Sequence, residues 1–239
     1  MSELKEAVEQ LARELGFRER MMGILGHDLR NPVSAVLSLA KLLHGDEGMS
    51  GKAREKLRVI EQSARRMNEM IGTLLDFTRL RFHGSLPVAL EEIDLDELAR
   101  GIVAELQASH RGRALELSAT GDLRGRWDPG RIAQLLSNLA ANALWHGARE
   151  SPVRVSVAGE GESVVLRVSN RGPVIAPALV DRLFEPFQQG TDSTGNGQRG
   201  LGLGLFIVRE IVRAHGGTID VQSSDDLTTF AVTLPRSDP

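Results

Sequence analysis

Three stretches of the 239-residue sequence hold residues arranged as reactive or phosphate-binding groups would be. The first is GHDLRNPV, in which His27 is followed by Asp28, by Asn31 one helical turn on, and by Pro32. On a helix, Leu25 and Leu29 mark the apolar side, so His27 points sideways toward solvent, where another domain can reach its ring, and Asn31 shares its face. Pro32 cannot donate to the carbonyl of Asp28 and kinks the helix beside the histidine. A histidine on a helix is ordinarily just a surface residue, so its neighbours have to decide. The second stretch, RIAQLLSNLAANALWHG, sets Asn138 and Asn142 one turn apart on one helical face; asparagines satisfied by backbone are the plain alternative. The third, GLGLGLFIVREIVRAHGG, begins with Gly200, Gly202 and Gly204. These glycines let backbone amides approach phosphate groups at the start of a helix, whose dipole also favours anions. Dinucleotide folds use similar helix starts, but no strand directly precedes this one and no parallel βαβ unit surrounds it. The preceding run QQGTDSTGNGQ is polar and poor in core formers, as a surface loop would be.

The elements that must position these residues fall into two halves. Apolar residues recur at alternating spacings of four and three through Leu4, Val8, Leu11 and Leu15, resume after Arg18 at Met22, Leu25 and Leu29, and reappear at Val36, Leu39 and Leu43. Beyond the breaker-rich HGDEGMSG, the pattern repeats through Leu57, Ile60, Ala64, Met67, Ile71, Leu74 and Thr78. Two long helices and a short loop make an antiparallel hairpin with a half-exposed seam. Two such hairpins face to face bury it, so the pattern predicts a homodimer built on an all-α, four-helix bundle over residues 1–83. The alternative is a monomeric hairpin packed on the second half. The seam stops after Phe82, and HGSLPVAL reads as a linker or a first edge strand.

Residues 84–239 form the predicted second domain. Asp94, with Glu97 three residues on, reads as a capping box opening a helix to about Ala108; Asp128 and Pro129 open another to about His146. Strand-like runs lie at Ala114 to Ala119, Val153 to Val157, Val164 to Ser169, Thr218 to Val221 and Thr229 to Leu234, the last two a hairpin around Ser223 to Leu227. After the glycines, Leu205, Val208, Ile211 and Val212 form an apolar helix face that Gly216 ends. The expected architecture is α+β, with helices on one face of a largely antiparallel sheet.

Composition excludes several classes. With 41% hydrophobic and 26% charged residues the chain reads as globular, and a formal charge of −3 gives no basic footprint, so nucleic acid is not an expected partner. The absence of cysteine excludes disulfides, thiolate metal sites and cysteine nucleophiles, and a reducing cytoplasm is the expected location. No apolar run approaches the roughly 18 residues that would span a bilayer, and MSELKEAVEQ is too charged for a signal peptide, so no membrane segment is expected within the chain. A longer protein with a sensor or membrane span upstream is compatible with this reading.

HDLRNP resembles the H-box of sensor histidine kinases: His, an acid, Leu, Arg, any residue, Pro. The resemblance implies that His27 is the phosphoacceptor and Asp28 its acid/base partner, and Asn31 is similar to the amide position that family members use to orient a hydrolytic water. A phosphoacceptor imidazole must present a bare nitrogen, while an adjacent carboxylate holds the proton on the other. The helix after Asp128 looks like the N-box of the GHKL ATPase superfamily. That implies a Mg2+ ligand at Asn142, where an amide oxygen suits a hard cation, with Asn138 and His146 beside the nucleotide. Trp145 departs from the lysine often found there. VSNRGPVI resembles the first glycine box, Asp-x-Gly-x-Gly: Gly172 matches, and Ile175 follows it. Asn170 replaces the aspartate that accepts from the adenine amino group, and Val174 replaces the second glycine. Asn170 keeps a carbonyl oxygen to accept that bond, without the charge.

LFEPF resembles the F-box, which would make the polar run after it a lid over ATP. Gly200, Leu201, Gly202, Leu203, Gly204 and Leu205 then correspond to the phosphate-binding turn, and Thr228 in TTFAVTL to the last nucleotide contact. These boxes run in family order over about Gly26 to Leu234. The resemblance implies a Bergerat (GHKL) α+β sandwich after the hairpin, ATP and Mg2+ as cofactors, and autophosphorylation of His27. It further implies transfer to an aspartate of a response regulator receiver domain, and phosphatase activity toward it. Trp145, Asn170 and Val174 also keep open a degenerate domain acting as a binding or scaffold protein. A GHKL serine kinase or ATPase of another type would lack the phosphoacceptor hairpin.

Overall fold

The computed structural model describes residues 33–40, 43, 50–110, 112–180, 182–188 and 201–237. His27, Asp28, Asn31 and Gly200, and all of the polar run QQGTDSTGNGQ after Gln188, lie outside the described residues. The chain divides into two compact units, the first ending at Gly84 and the second beginning at Ser85.

In the first unit, residues 33–40 are helical, and helix α1 spans Gly51–His83. Ser50 caps α1, its hydroxyl accepting from the amide of Ala53, and Gly84 ends it at φ 74, a left-handed conformation that favours glycine. The stripe expected from the sequence lies on this helix but is unevenly covered. Leu57 and Ala64 are buried, as is Leu80 beyond the stripe, whereas Ile60, Met67 and Leu74 remain 46%, 41% and 43% exposed, and Val36, Leu39 and Leu43 are also exposed.

The second unit carries a five-stranded sheet in the order β2-β4-β5-β7-β6, from β2 (Leu115–Thr120), β4 (Val153–Glu160), β5 (Ser163–Arg171), β6 (Thr218–Ser224) and β7 (Leu227–Pro235). The β2–β4 pair is parallel and the others antiparallel. A separate antiparallel pair joins β1 (Glu91–Asp94) to β3 (Arg124–Trp127). The helices are α2 (Leu95–Ser109), α3 (Pro129–His146), the short α4 (Pro177–Val180) and α5 (Gly204–Ala214). The five main strands lie where alternation in the sequence put them. The short β1 and β3 were not anticipated, and residues 84–90 are irregular, pairing beginning only at Glu91.

Two local expectations need correction. Asp94 does cap α2, but its carboxylate accepts from the amide of Asp96 at 2.9 Å rather than from the third helical residue, so the reciprocal box with Glu97 does not form. On α5 the buried residues are Ile207, Val208, Ile211 and Val212; Leu205 sits at the stripe's edge, half-buried, and Ile207 takes its place.

The core lies between the sheet and its helices. Val164, Leu166 and Val168 of β5 and Phe230, Val232 and Leu234 of β7 alternate inward, meeting Leu135, Leu136, Leu139 and Ala143 of α3 and the stripe of α5. Trp127 is wholly buried and its indole Nε1 donates to the Pro235 carbonyl at 2.8 Å. His215, just past the end of α5, ties it to the start of α3: Nδ1 donates to the Ile211 carbonyl at 2.8 Å, and Nε2 accepts from the Asp128 amide at 3.1 Å.

Candidate functional site

The inner face of the sheet ends in a polar row. Asn170 on β5 faces Thr228 on β7, and Thr228 faces Ser223 on β6, beyond the apolar layer of Val168, Phe230 and Val221. Asn170 and Thr228 are only 6% and 5% exposed. The Asn170 amide nitrogen donates to the Arg171 carbonyl at 3.3 Å, so Oδ1 is the atom left to accept from a ligand. The loop that follows β5 is tethered to the β6–β7 hairpin twice. The Gly172 amide donates to the Asp226 carbonyl at 2.8 Å, and the Ile175 amide to Ser223 Oγ at 2.9 Å.

Gly172 also packs tightly on the end of α3: a Cβ there would lie 2.8 Å from the His146 carbonyl oxygen. At the same helix end, Arg113 donates from Nη1 to the Gly147 carbonyl at 3.1 Å, while its Nε and Nη2 are buried without a partner. Burial, and then the charge of Arg149, push the Arg113 guanidinium below its usual range. A guanidinium at the carbonyl end of a helix complements the helix dipole. Neither Arg113 nor Ser223 is signalled by the sequence, because each acts on a residue remote along the chain.

The other half of the site is the start of α5. Gly202, at φ 68, sits against the backbone of Phe187 and Gln188. Leu203 is buried and Leu201 partly exposed. The helix start receives no side-chain cap. Asn138 reaches it from α3, Nδ2 donating to the Gly204 carbonyl at 3.4 Å. Asn142 lies one turn further along α3 and is half-buried, His146 is exposed, and Trp145 is 54% exposed.

An uncapped helix start, close-packed glycines, two amide side chains on the facing helix and a buried polar row fit a nucleotide with its phosphates on α5. Among the described residues no group of three or more His, Asp or Glu could hold a metal ion. A magnesium ion held by one amide oxygen together with phosphates and waters fits this donor set better than a protein cage.

Residues 127–238 match the family described as histidine kinase-, DNA gyrase B-, and HSP90-like ATPase, and residues 17–82 match the His Kinase A (phospho-acceptor) domain. The chain is 35% identical over 218 residues to a bacteriophytochrome of Pseudomonas aeruginosa, covering 91% of this chain and 30% of that protein. It is 33% identical over 240 residues to the adaptive-response sensory kinase SasA of a Synechococcus species, covering 97% and 63%. Identity to the signal transduction histidine-protein kinase AfsQ2 of Streptomyces coelicolor is 31% over 244 residues, covering 97% and 44%. The chain therefore spans 30% to 63% of the length of these relatives. Among solved structures, full-length ShkA in complex with AMPPNP superposes with a TM-score of 0.69 at 25% identity, over 92% of this chain and 46% of that one. The catalytic domain of histidine kinase ThkA gives 0.55 at 28% identity, over 62% of this chain and 97% of that one. A phospho-acceptor domain followed in one chain by an ATPase domain of this fold places the protein in the sensor histidine kinase family.

Proposed function

We propose that the chain is a catalytic core that uses Mg-ATP to phosphorylate its own His27 and passes the phosphoryl group to an aspartate on a response regulator receiver domain in the cytoplasm. Residues 1–83 serve as the dimerisation and phosphoacceptor hairpin and 84–239 as the ATP-binding domain. The observation that carries the nucleotide half is the meeting of Asn138 with Gly204, which brings the amide face of α3 to the uncapped start of α5. AMPPNP, an ATP analogue, occupies the ShkA structure, which supports the same ligand here. Homodimerisation follows from Ile60, Met67 and Leu74, apolar residues at seam spacing that one chain leaves exposed.

The residues divide the work. Asn170 Oδ1 and Thr228 recognise the base, and the amides at Gly202, Leu203 and Gly204 hold phosphate oxygens. Asn142 offers its amide oxygen to magnesium, and a bound magnesium ion supplies neutralisation of phosphate charge. At the acceptor, a lone pair on one His27 nitrogen forms the N–P bond as the bond from the γ-phosphorus to the bridging oxygen breaks and leaves with ADP. Asp28 holds the proton on the other nitrogen and stabilises the positive charge on the ring.

The test is incubation with γ-labelled ATP. The expected product is a phosphoramidate, stable in alkali, lost in acid and absent from His27→Gln. Acid-stable label, or label that persists in His27→Gln, would mean another acceptor. Nucleotide binding with no label at all would favour the scaffold reading, for which exposed Trp145 and Val174 and the uncharged Asn170 speak.

A further inference from the structure

Resting on the nucleotide reading above, we propose that Ser223 is a positioning residue for the base end of the site: it sets the Thr228 hydroxyl and the loop 172–175 relative to one another, so that the contacts at Asn170 and Thr228 are made together. Ser223 belongs to no motif that the sequence displays. In the structure it is the last member of the polar row Asn170–Thr228–Ser223, and its single hydroxyl makes two connections. It accepts from the Ile175 amide at 2.9 Å and shares a hydrogen with Thr228 Oγ1 at 2.8 Å. A hydroxyl has one hydrogen and two lone pairs, so both bonds can be satisfied at once. Whichever hydroxyl donates, the bond holds Thr228 Oγ1 in one position rather than leaving the side chain a free rotor.

Geometry separates this role from general scaffolding. The loop has a second tether, from the Gly172 amide to the Asp226 carbonyl, which is main chain to main chain and survives any change at Ser223. Asp225 and Asp226 form the hairpin turn with φ 49 and 61, independently of the Ser223 side chain. Removing the hydroxyl therefore leaves the fold tethered and frees two things: the Ile175 end of the loop and the Thr228 hydroxyl. Both lie on the inner face. An internal control sits one residue along β7, where Ser169 Oγ and Thr229 Oγ1 are 2.9 Å apart across the neighbouring β5–β7 pair, on the opposite face of the sheet. Ser169→Ala removes the same kind of bond, away from the row.

The experiment measures Mg-ATP affinity by fluorescence titration, and the KM and limiting rate of His27 labelling, for the full chain and for Ser223→Ala, Ser223→Thr and Ser169→Ala. Losing two hydrogen bonds in Ser223→Ala is expected to raise Kd and KM about tenfold with the limiting rate changed by no more than about twofold. Ser223→Thr, which keeps the hydroxyl, returns Kd to within about threefold of wild type, and Ser169→Ala leaves it there. If Ser223→Ala binds like wild type, if threonine fails to rescue, or if Ser169→Ala weakens binding equally, the inference is wrong while the nucleotide reading stands. A fall in limiting rate at unchanged KM likewise overturns it. If wild type itself binds no Mg-ATP, the nucleotide reading fails first and the inference falls with it.

Discussion

Two glycines of one motif, Gly202 and Gly204, should respond very unequally to the same added methyl group. At Gly202 an alanine would have to hold φ 68, and its Cβ would lie 2.7 Å from the Gln188 carbonyl oxygen and 2.8 Å from the Phe187 carbonyl carbon. The left-handed conformation costs a non-glycine residue about 1–2 kcal/mol. The clash is with backbone, which cannot swing aside as a side chain can, and overpacking of that kind adds about 1–3 kcal/mol. Gly202→Ala should therefore destabilise the second unit by roughly 2–5 kcal/mol. Gly204, the first residue of α5, is different: its added Cβ would meet Asn138 at 3.9 Å, an ordinary contact. Gly204→Ala should change stability by less than about 0.5 kcal/mol, the usual range for a substitution that breaks no special feature. Both tryptophans, Trp127 and Trp145, lie in the second unit, so fluorescence during urea unfolding reports that unit. At an m-value of about 2 kcal/mol/M, the midpoint of Gly202→Ala should fall by about 1–2.5 M while that of Gly204→Ala stays in place. An unshifted midpoint in Gly202→Ala, or equal losses in the two variants, would refute the reasoning.

Three further outcomes are expected. Asn142→Ala should lower His27 labelling about a hundredfold or more without moving the urea midpoint, because it removes a group that acts on phosphate charge and not on the core; near-normal labelling would discard the magnesium role. Asp128 accepts from the amides of Ala89 at 2.9 Å and Arg131 at 3.0 Å. Burial works to raise its carboxyl, but these bonds, with the Gly130 amide and the Arg131 charge, win and hold it below the ordinary 3.8. A depressed folded-state value means that its stabilisation is complete above about pH 4 and is lost as pH falls through the folded value. Asp128→Ala should cost about 1–2 kcal/mol at neutral pH, with the gap to wild type closing in acid, and a pH-independent gap would contradict this. Asn31→Ala should keep autophosphorylation but slow the loss of phosphate from the partner regulator, and equal decay with both proteins would argue against a phosphatase role.

Much of the fold was legible because it is written in local periodicity. Alternation placed the five main strands, the Asp128–Pro129 pair placed the start of α3, and the repeat through Leu57 and Ala64 placed α1, since each depends on residues a few positions apart. The short β1 and β3 escaped because four-residue strands carry too little pattern, and what defines them is pairing with each other across an intervening helix. Leu205 was misplaced for a related reason: the edge of an apolar stripe depends on which surface the helix meets, not on spacing alone.

At the candidate site the division is sharper. The sequence by itself determined which side chains are available: the amides of Asn138 and Asn142, the glycines before α5, and an asparagine where an aspartate is usual. It also determined the helix and strand that carry each of them. Which of them meet is set by the packed fold. Asn138 bonds to Gly204, Arg113 to Gly147, Ile175 to Ser223, and His215 to Asp128, all of them pairs far apart along the chain. Such contacts leave no periodic trace, because a hydrogen bond needs a donor and an acceptor brought together by the packing of apolar residues elsewhere. The inward alternation of β5, β7 and β6 sets Asn170, Thr228 and Ser223 in one row, and strand register, a property of three strands at once, makes them neighbours.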